Sequence, residues 1–279
     1  METELENTTP NFERELSTYE CLTKFREPLL NFIIKSLHIP AGSKGLDAGC
    51  GIGYVTKLLA EHVGENGHVI GLDKSKDFIH YAKNNNKTAT IQFIEGDVNS
   101  LQFDDNSFDW LMSIDTVWPG QKELGCPAED PLKIIREFYR VLKPGGSVFI
   151  LFWSSQKLLP GYPILEAQLN TTSSATAPFI QGMKPLQHIL NGRYWLQNAE
   201  FTDILVKTYV GDIIAPLSEN DRNALHVLFE MFWGESQSEV SEDDWKDFKR
   251  LCAPGSDDYI FNNKHYYGFY TYTLFKGVK

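Results

Sequence analysis

The chain has 279 residues, of which 42% are hydrophobic and 23% are charged, so a sizeable core can form without disulfides or metal ions to stabilise it. The formal net charge is −11, and no lysine- or arginine-rich block could follow a phosphate backbone, which argues against nucleic acid as a partner. The four cysteines form no C-x-x-C pair and the seven histidines show no metal-ligand spacing. We therefore predict no metal site and a cytoplasmic protein.

The N-terminal region carries an apolar stretch but no signal peptide pattern. Its first residues are acidic where a signal peptide is basic. The apolar stretch from Leu29 to Ile39 is interrupted by Asn31, Lys35 and His38 and is too short to span a bilayer. It is predicted to form an amphipathic helix, with no membrane span.

From Lys44 onward, short β-rich runs alternate with helical periodicity, a pattern typical of an α/β fold. Helices are predicted from near Gly53, over 75–83 with Ser75 as N-cap, and over 131–142 before the turn KPGG. The predicted strands between them cover 44–49, 68–73, 90–97, 108–115 and 147–153.

The pattern becomes irregular between Trp153 and Pro185, where the serine- and threonine-rich residues 171–178 are predicted to form a loop that acts as a lid. A helix near 185–197 and a strand over 201–210 follow. An acidic, aromatic-bearing helical stretch at 218–252 precedes a final strand at 266–275.

The strongest local signal is a glycine loop, Asp47-Ala48-Gly49-Cys50-Gly51-Ile52-Gly53, between a strand and a helix. Glycines there allow the backbone to approach a ligand at the helix N-terminus. A dinucleotide site of the G-x-G-x-x-G type needs glycine or alanine three residues after Gly51, where this chain has Tyr54. The loop therefore departs from the nicotinamide and flavin pattern.

Two further aspartates end neighbouring predicted strands. Asp73 lies 20 residues after Gly53, where a carboxylate can accept hydrogen bonds from both hydroxyls of a ribose. Asp97, in the segment IEGDV, can accept from an adenine amino group while a neighbouring backbone N–H serves a ring nitrogen. Three strand ends are thus expected to converge on one nucleoside.

With these motifs the sequence resembles the class I S-adenosylmethionine-dependent methyltransferases, in the broad methyltransferase-domain group that includes ubiquinone- and menaquinone-type enzymes. The resemblance covers about residues 25 to 153 and rests on LDAGCGIGYVT, VIGLDKS, IEGDVNSLQFDDNSFDWLMSID and IIREFYRVLKPGGSVFIL. It implies a Rossmann-like, seven-stranded, mostly parallel sheet with helices on both faces and an antiparallel last strand. It also implies S-adenosyl-L-methionine as cofactor, S-adenosyl-L-homocysteine as its product, and a small organic acceptor.

The resemblance also implies roles for individual residues. Residues of the glycine loop surround the methionine part of the cofactor, Asp73 holds the ribose with Lys74 beside it, and Asp97 and Val98 flank the adenine. Ser113 borders the sulfonium, and Tyr19 precedes the scaffold in a segment that folds over the cofactor in many relatives. The expected loop positions are Asp47, Gly49, Cys50, Gly51 and Gly53.

Methyl transfer from a sulfonium needs mainly an in-line approach and exclusion of water, so no nucleophilic side chain is required. If the acceptor is a hydroxyl or an acidic carbon, a general base would help, and Asp115 is the nearest candidate by position. A strand-end aspartate that caps a turn is an equally good interpretation of Asp115.

Three other functions stay open at this point. A nicotinamide-dependent oxidoreductase shares the glycine loop and Asp73 but leaves IEGD and RVLKPGG unexplained. A nucleic-acid methyltransferase commonly has an Asp/Asn-Pro-Pro-Tyr/Phe segment after the fourth strand, where this chain has Ile114-Asp115-Thr116-Val117-Trp118. A cofactor-binding protein without catalysis is the third.

The expected organisation is an N-terminal helical segment, 1–43, that covers the cofactor site, followed by a methyltransferase domain at 44–279. Helical insertions at about 154–184 and 213–262 are expected to build the acceptor pocket. Several aromatic side chains near the rim of the sheet suggest an apolar or aromatic acceptor, and these are Trp118, Trp153, Tyr162, Tyr194, Trp195, Phe232 and Trp233.

Overall fold

The computed structural model describes residues 10–118, 130–176 and 184–279. Within these ranges the strands form one seven-stranded sheet, in the order β3-β2-β1-β4-β5-β7-β6. The strands are β1 (Lys44–Ala48), β2 (His68–Asp73), β3 (Ile91–Glu95), β4 (Phe108–Ile114), β5 (Leu142–Lys157), β6 (Thr202–Ile214) and β7 (Tyr267–Val278).

Neighbouring strands from β3 to β5 all pair in parallel, whereas β7 pairs antiparallel with both β5 and β6. The last strand is therefore inserted between β5 and the edge strand β6. This confirms the predicted Rossmann-like sheet with an antiparallel last strand. The parallel strands all point their carboxyl ends at one edge, which is where ligands bind in open α/β sheets.

Helices cover both faces of the sheet. The described helices are α1 (Pro10–Ser36), α2 (Tyr54–Val63), α3 (Lys76–Asn85), α4 (Pro131–Val141), α5 (Pro163–Leu169), α6 (Ser173–Thr176), α7 (Gly192–Asn198), α8 (Glu219–Trp233) and α9 (Glu242–Cys252). None of these has an apolar stretch long enough to cross a lipid bilayer.

Buried residues divide into two large clusters, one on each face of the sheet. On one face, α1, α2 and α8 pack against the sheet, with Ile33, Leu59 and Phe229 fully buried. On the other face, α4 and α7 contribute Phe138 and Trp195, which are also fully buried. Burial of this apolar area is the main force that holds the layers together.

The long helix α1 extends well beyond the apolar stretch that predicted it. It begins at Pro10, 19 residues before Leu29, and ends at Ser36. The expected continuation to Ile39 is wrong because His38 has a left-handed φ of 54° and Pro40 comes two residues after it. The polar first half of α1 lies within the N-terminal helical segment that was expected over 1–43.

The predicted end of β5 and the irregular segment predicted after it are both wrong. β5 continues to Lys157 because β7 supplies hydrogen-bonding partners as far as the pair Lys157 and Phe269. The segment expected to be irregular contains α5, in which the buried Glu166 accepts a hydrogen bond from the backbone N–H of Leu158 at 2.7 Å. The expected lid at 171–178 includes the short helix α6, and its last two residues lie outside the described ranges.

The predicted helical stretch at 218–252 consists of two helices. Ser218 caps the start of α8 in a reciprocal capping box with Asp221, and Ser241 caps the start of α9. Gly234 follows the last residue of α8 and separates the two. Phe229 and Trp233 are fully buried, so Trp233 lies in the core and does not line the acceptor side, as its place among the rim aromatics had suggested.

Candidate active site

The glycine loop connects β1 to α2 and carries three glycines with positive φ. These angles are 88° at Gly49, 51° at Gly51 and 81° at Gly53. The backbone N–H groups of Gly49 and Cys50 both donate to the carbonyl oxygen of Leu72 in β2, at 2.7 and 3.0 Å. A Cβ atom added to Gly51 would meet nothing within 4 Å, so this side of the loop faces open space. The loop thus presents bare backbone to a ligand.

Asp47, at the start of the loop, points into the protein. Asp47 is 2% exposed, and its Oδ2 accepts a hydrogen bond from Thr56 Oγ1 in α2 at 2.7 Å. Burial raises the pKa of Asp47 to about 7, against the opposing effect of the Thr56 hydrogen bond and with a contribution from the charge of Asp73. The contact ties the loop to α2, which indicates a positioning role for this carboxyl group.

Asp73, at the end of β2, is half-buried beside the loop. Its Oδ2 accepts from the Gly51 N–H and its Oδ1 from the Ser75 N–H, both at 2.9 Å. A carboxylate has about four acceptor positions, so each oxygen retains capacity for a further donor. Ser75 is the N-cap of α3, as predicted.

The end of β3 lies next to Asp73. The Gly96 N–H donates to the backbone carbonyl of Asp73 at 2.9 Å. Asp97 is exposed, and its Oδ1 accepts from both the backbone N–H and the side-chain amide of Asn99 at 2.8 Å. Val98 is buried, whereas Lys74 is exposed. The three predicted strand ends therefore meet at one edge of the sheet.

Two other predicted residues have side chains directed away from this edge. Cys50 packs with Ile79, Ala82 and Phe93, so its thiol is a packing group. Ser113, 1% exposed, donates from Oγ to the carbonyl oxygen of Ala48 at 3.0 Å. Any contact of these two residues with a ligand is therefore expected through the backbone.

Asp115, immediately after β4, accepts hydrogen bonds from three donors. Its Oδ2 accepts from Arg26 Nη1 at 2.9 Å and from the Tyr272 hydroxyl at 2.5 Å, and its Oδ1 accepts from the Trp153 N–H at 2.7 Å. Burial raises the pKa of Asp115, against the opposing charge of Arg26 and the hydrogen bonds from Tyr272 and Trp153. The role of Asp115 as a base stays a prediction.

Arg26 and Tyr272 were not identified from the sequence. Both lie outside the motif region, on α1 and β7, and they reach Asp115 across 89 and 157 residues of sequence. A signal for Arg26 exists in retrospect, because it stands seven residues after Tyr19 and so lies on the same face of α1.

Tyr19, the residue predicted to fold over the cofactor, lies on α1. Its ring packs edge-on against Phe78 of α3, with 4.8 Å between centroids, and the residue is 43% exposed. Burial of its hydroxyl raises its pKa, and the charge of Asp73 raises it further while that of Arg26 lowers it. Asp73, Arg26 and Asp115 are thus all close enough to act on the same phenol.

Aromatic rings border the Asp115 network. Trp153, which is half-buried, stacks on Tyr270 with 4.6 Å between centroids and lies edge-on to Tyr272 at 5.9 Å. Phe232 of α8 lies 6.5 Å from the same indole. By contrast, Trp195 and Trp233 are fully buried core residues.

These observations allow the predicted adenosyl cofactor to be tested against the residues present. The Gly51 side of the loop is open, and Asp73 retains acceptor positions at the adjoining strand end. Asp97 stands exposed at the next strand end. A hydroxyl-bearing nucleoside fits this arrangement.

Comparison with known proteins gives the family. Residues 39–208 match the family described as "Methyltransferase domain". A demethylmenaquinone methyltransferase of Staphylococcus epidermidis is 33% identical over 201 residues, which is 66% of this chain and 78% of that protein. One of Listeria welshimeri is 31% identical over 162 residues, 56% of this chain and 63% of that protein.

Solved structures share the fold at low sequence identity. The YcgJ protein of Bacillus subtilis superposes with a TM-score of 0.53 at 17% identity, covering 90% of this chain and 97% of that one. A phosphoethanolamine N-methyltransferase of Haemonchus contortus in complex with S-adenosyl-L-methionine gives 0.51 at 19% identity, covering 89% and 52%.

Proposed function

This chain belongs to the S-adenosylmethionine-dependent methyltransferases that act on small organic acceptors, and on that premise we propose that its acceptor is an oxygen-bearing aromatic ring of the quinol type. The proposal is supported by the Staphylococcus and Listeria relatives, which are named demethylmenaquinone methyltransferases. The observation that carries it is the Asp115 network at the sheet edge, bordered by Trp153 and Tyr19. An aromatic surface beside a hydrogen-bonding group suits a flat ring with one polar substituent.

For the cofactor, we propose that Gly49, Gly51 and Gly53 lie along its methionine part, and that Tyr19 covers it from α1. Asp47, the Cys50 N–H and the Ser113 hydroxyl support the loop from beneath. When bound, S-adenosylmethionine supplies an electrophilic methyl group and a neutral thioether leaving group.

At the nucleoside end, Asp73 is proposed to accept from the ribose hydroxyls. Asp97 and the backbone near Val98 are proposed to meet the adenine, with Lys74 beside them. Gly51 and Ser75 hold the Asp73 carboxylate through their N–H groups, so its orientation is fixed before a ligand arrives. Such preorganisation lowers the entropy that binding would otherwise cost.

The chain's contribution to the reaction is positioning, exclusion of water and control of one proton. The Trp153 and Tyr270 stack restricts the approach of a flat acceptor. Asp115 is the proposed proton acceptor for an acceptor hydroxyl, since its raised pKa makes it a better base than an exposed carboxylate. A cytoplasmic location and the absence of a nucleic-acid partner stay predictions from the cysteine and charge patterns.

The first experiment is an anaerobic assay with naphthohydroquinone and trideuteromethyl-labelled S-adenosylmethionine, followed by mass spectrometry of the product. We expect a ring that carries one labelled methyl group. Binding of S-adenosylhomocysteine is measured beside it by calorimetry. Binding of the cofactor product without methylation of this probe would overturn the quinol proposal and leave the family assignment intact.

Asp73→Ala tests the cofactor site in the same calorimeter. Affinity for S-adenosylhomocysteine is expected to fall about tenfold to a hundredfold, because hydroxyl groups lose a charged acceptor. Asp77→Ala is the matched control, since Asp77 is an exposed carboxylate in the first turn of α3. Equal affinities for the two variants would show that Asp73 does not hold the ribose.

A further inference from the structure

Arg26 is a largely buried cation with one part of its guanidinium unused. Nε donates to the carbonyl oxygen of Leu22 at 3.2 Å, and Nη1 donates to Asp115 Oδ2 and to the Tyr272 hydroxyl, both at 2.9 Å. Within residues 10–118, 130–176 and 184–279, Nη2 makes no hydrogen bond. The side chain is 19% exposed, so it is not sealed from solvent.

The surroundings of Arg26 belong to the acceptor side of the cleft. Asp115 follows β4 at the carboxyl edge of the sheet, and the Trp153 N–H from β5 meets the same carboxylate. Tyr19 stands seven residues before Arg26 on the same face of α1, and the charges of both Asp73 and Arg26 act on the pKa of its phenol. A molecule that contacts the Asp115 carboxylate therefore lies beside this guanidinium.

We propose that Arg26 anchors the acceptor by donating a hydrogen bond from Nη2 to an oxygen on its ring. The inference rests on the proposed function, because it assumes an acceptor with a ring oxygen. Tyr272 is a positioning residue in this scheme, and Asp115, besides its proposed role as proton acceptor, also positions Arg26: the two occupy Nη1 and fix the plane of the guanidinium. A donor that is already held in place costs little reorganisation when the acceptor binds.

The charge balance determines what Arg26 selects. Arg26 and Asp115 form an ion pair at 2.9 Å, which is neutral as a unit. Recognition thus depends on the directed N–H groups more than on net charge. The site selects a ring that carries an oxygen over a hydrocarbon of the same shape, because the hydrocarbon would remove water from Nη2 without replacing its hydrogen bond.

A purely structural role for Arg26 is the competing explanation, since the same ion pair ties α1 to the end of β4. The two roles predict different effects on ligand choice. A structural tie would change stability and would weaken every acceptor alike. An anchor changes the preference between two acceptors that differ only in their oxygens.

The test compares two probes on protein saturated with S-adenosylhomocysteine, with oxygen excluded. The probes are naphthohydroquinone and the dimethylnaphthalene in which methyl groups replace both hydroxyls. We expect wild-type protein to prefer the hydroquinone by about tenfold to a hundredfold, and Arg26→Gln to reduce that preference to about threefold or less. Lys24→Gln, which removes an exposed cation from the same helix, is expected to keep the wild-type preference.

Each outcome either supports or overturns the proposal that Arg26 anchors the acceptor. Equal binding of the two probes to wild-type protein overturns it without any variant, even if Arg26→Gln fails to fold. If Arg26→Gln keeps the full preference for the hydroquinone over the dimethylnaphthalene, the anchoring role of Arg26 is also overturned. The quinol proposal then stands if naphthohydroquinone is still methylated. Failure of wild-type protein to bind either probe overturns the proposed function and the anchor together. Tyr272→Phe keeps the ring and is expected to give an intermediate preference.

Discussion

Replacement of Asp47 by asparagine is expected to make the protein more stable at neutral and alkaline pH. Asp47 is 2% exposed, and burial raises its pKa from 3.8 to about 7. As the pH rises from about 4 to about 7, the unfolded chain releases this proton while the folded chain retains it. Stability therefore falls through that window, and the loss persists above it.

The magnitude follows from the difference between the two pKa values. A difference of about 3 corresponds to about 4 kcal/mol at 1.36 kcal/mol for each unit. Asparagine has no proton to release and can still accept from Thr56 Oγ1 through its carbonyl oxygen. The free energy of unfolding of Asp47→Asn, relative to wild type, should rise by about 2–4 kcal/mol between about pH 4 and about pH 8.

Urea denaturation at a series of pH values measures this difference. Asp109→Asn is a control for which the pH dependence of stability should have the opposite sign. Burial acts to raise the pKa of Asp109, but hydrogen bonds from Lys143 and from the Lys44 N–H lower this pKa overall. Asp109→Asn should be less stable than wild type at neutral pH, and this difference in the free energy of unfolding should shrink as the pH falls below about 4. A stability difference for Asp47→Asn that does not change with pH would refute the reasoning, because it would mean that the Asp47 carboxyl ionises as readily in the folded chain as in the unfolded one.

Three further substitutions test the loop and the attachment of α1. Gly49→Ala places a Cβ atom 2.0 Å from Thr116 Oγ1 at a φ of 88°, so we expect a lower melting temperature and weaker S-adenosylhomocysteine binding. Gly51→Ala, at a φ of 51° with open space around the new Cβ, should cost only about 1–2 kcal/mol of backbone strain in the same thermal assay. If the two alanine variants melt alike, the Thr116 contact is unimportant. Tyr81→Phe removes the hydrogen bond from the Tyr81 hydroxyl to Glu20 of α1 and should destabilise the protein by about 1 kcal/mol or less in urea, whereas a larger loss would mean that this contact holds α1 in place.

The sequence by itself determined the parallel strands β1 to β4 and the glycine loop, because their signals are local. A buried parallel strand is a short apolar run, and a loop that presents its backbone needs glycine. β2 therefore begins and ends at the predicted residues, and Ser75 caps α3 as predicted. The place of Asp73 and Asp97 at one edge follows from the parallel order of their strands.

Only the tertiary structure decided which side chains meet at the acceptor side. Asp115 was identified from its position after β4, but its partners Arg26 and Tyr272 lie 89 and 157 residues away. No periodic pattern in a single sequence encodes a contact between α1, β4 and β7. The partner of Asp47 was likewise decided by the tertiary structure. Its motif predicts a contact with the ligand, whereas its buried carboxyl group accepts a hydrogen bond from Thr56. Burial and hydrogen-bond partners depend on packing between distant segments, and those segments become neighbours only when the sheet is complete.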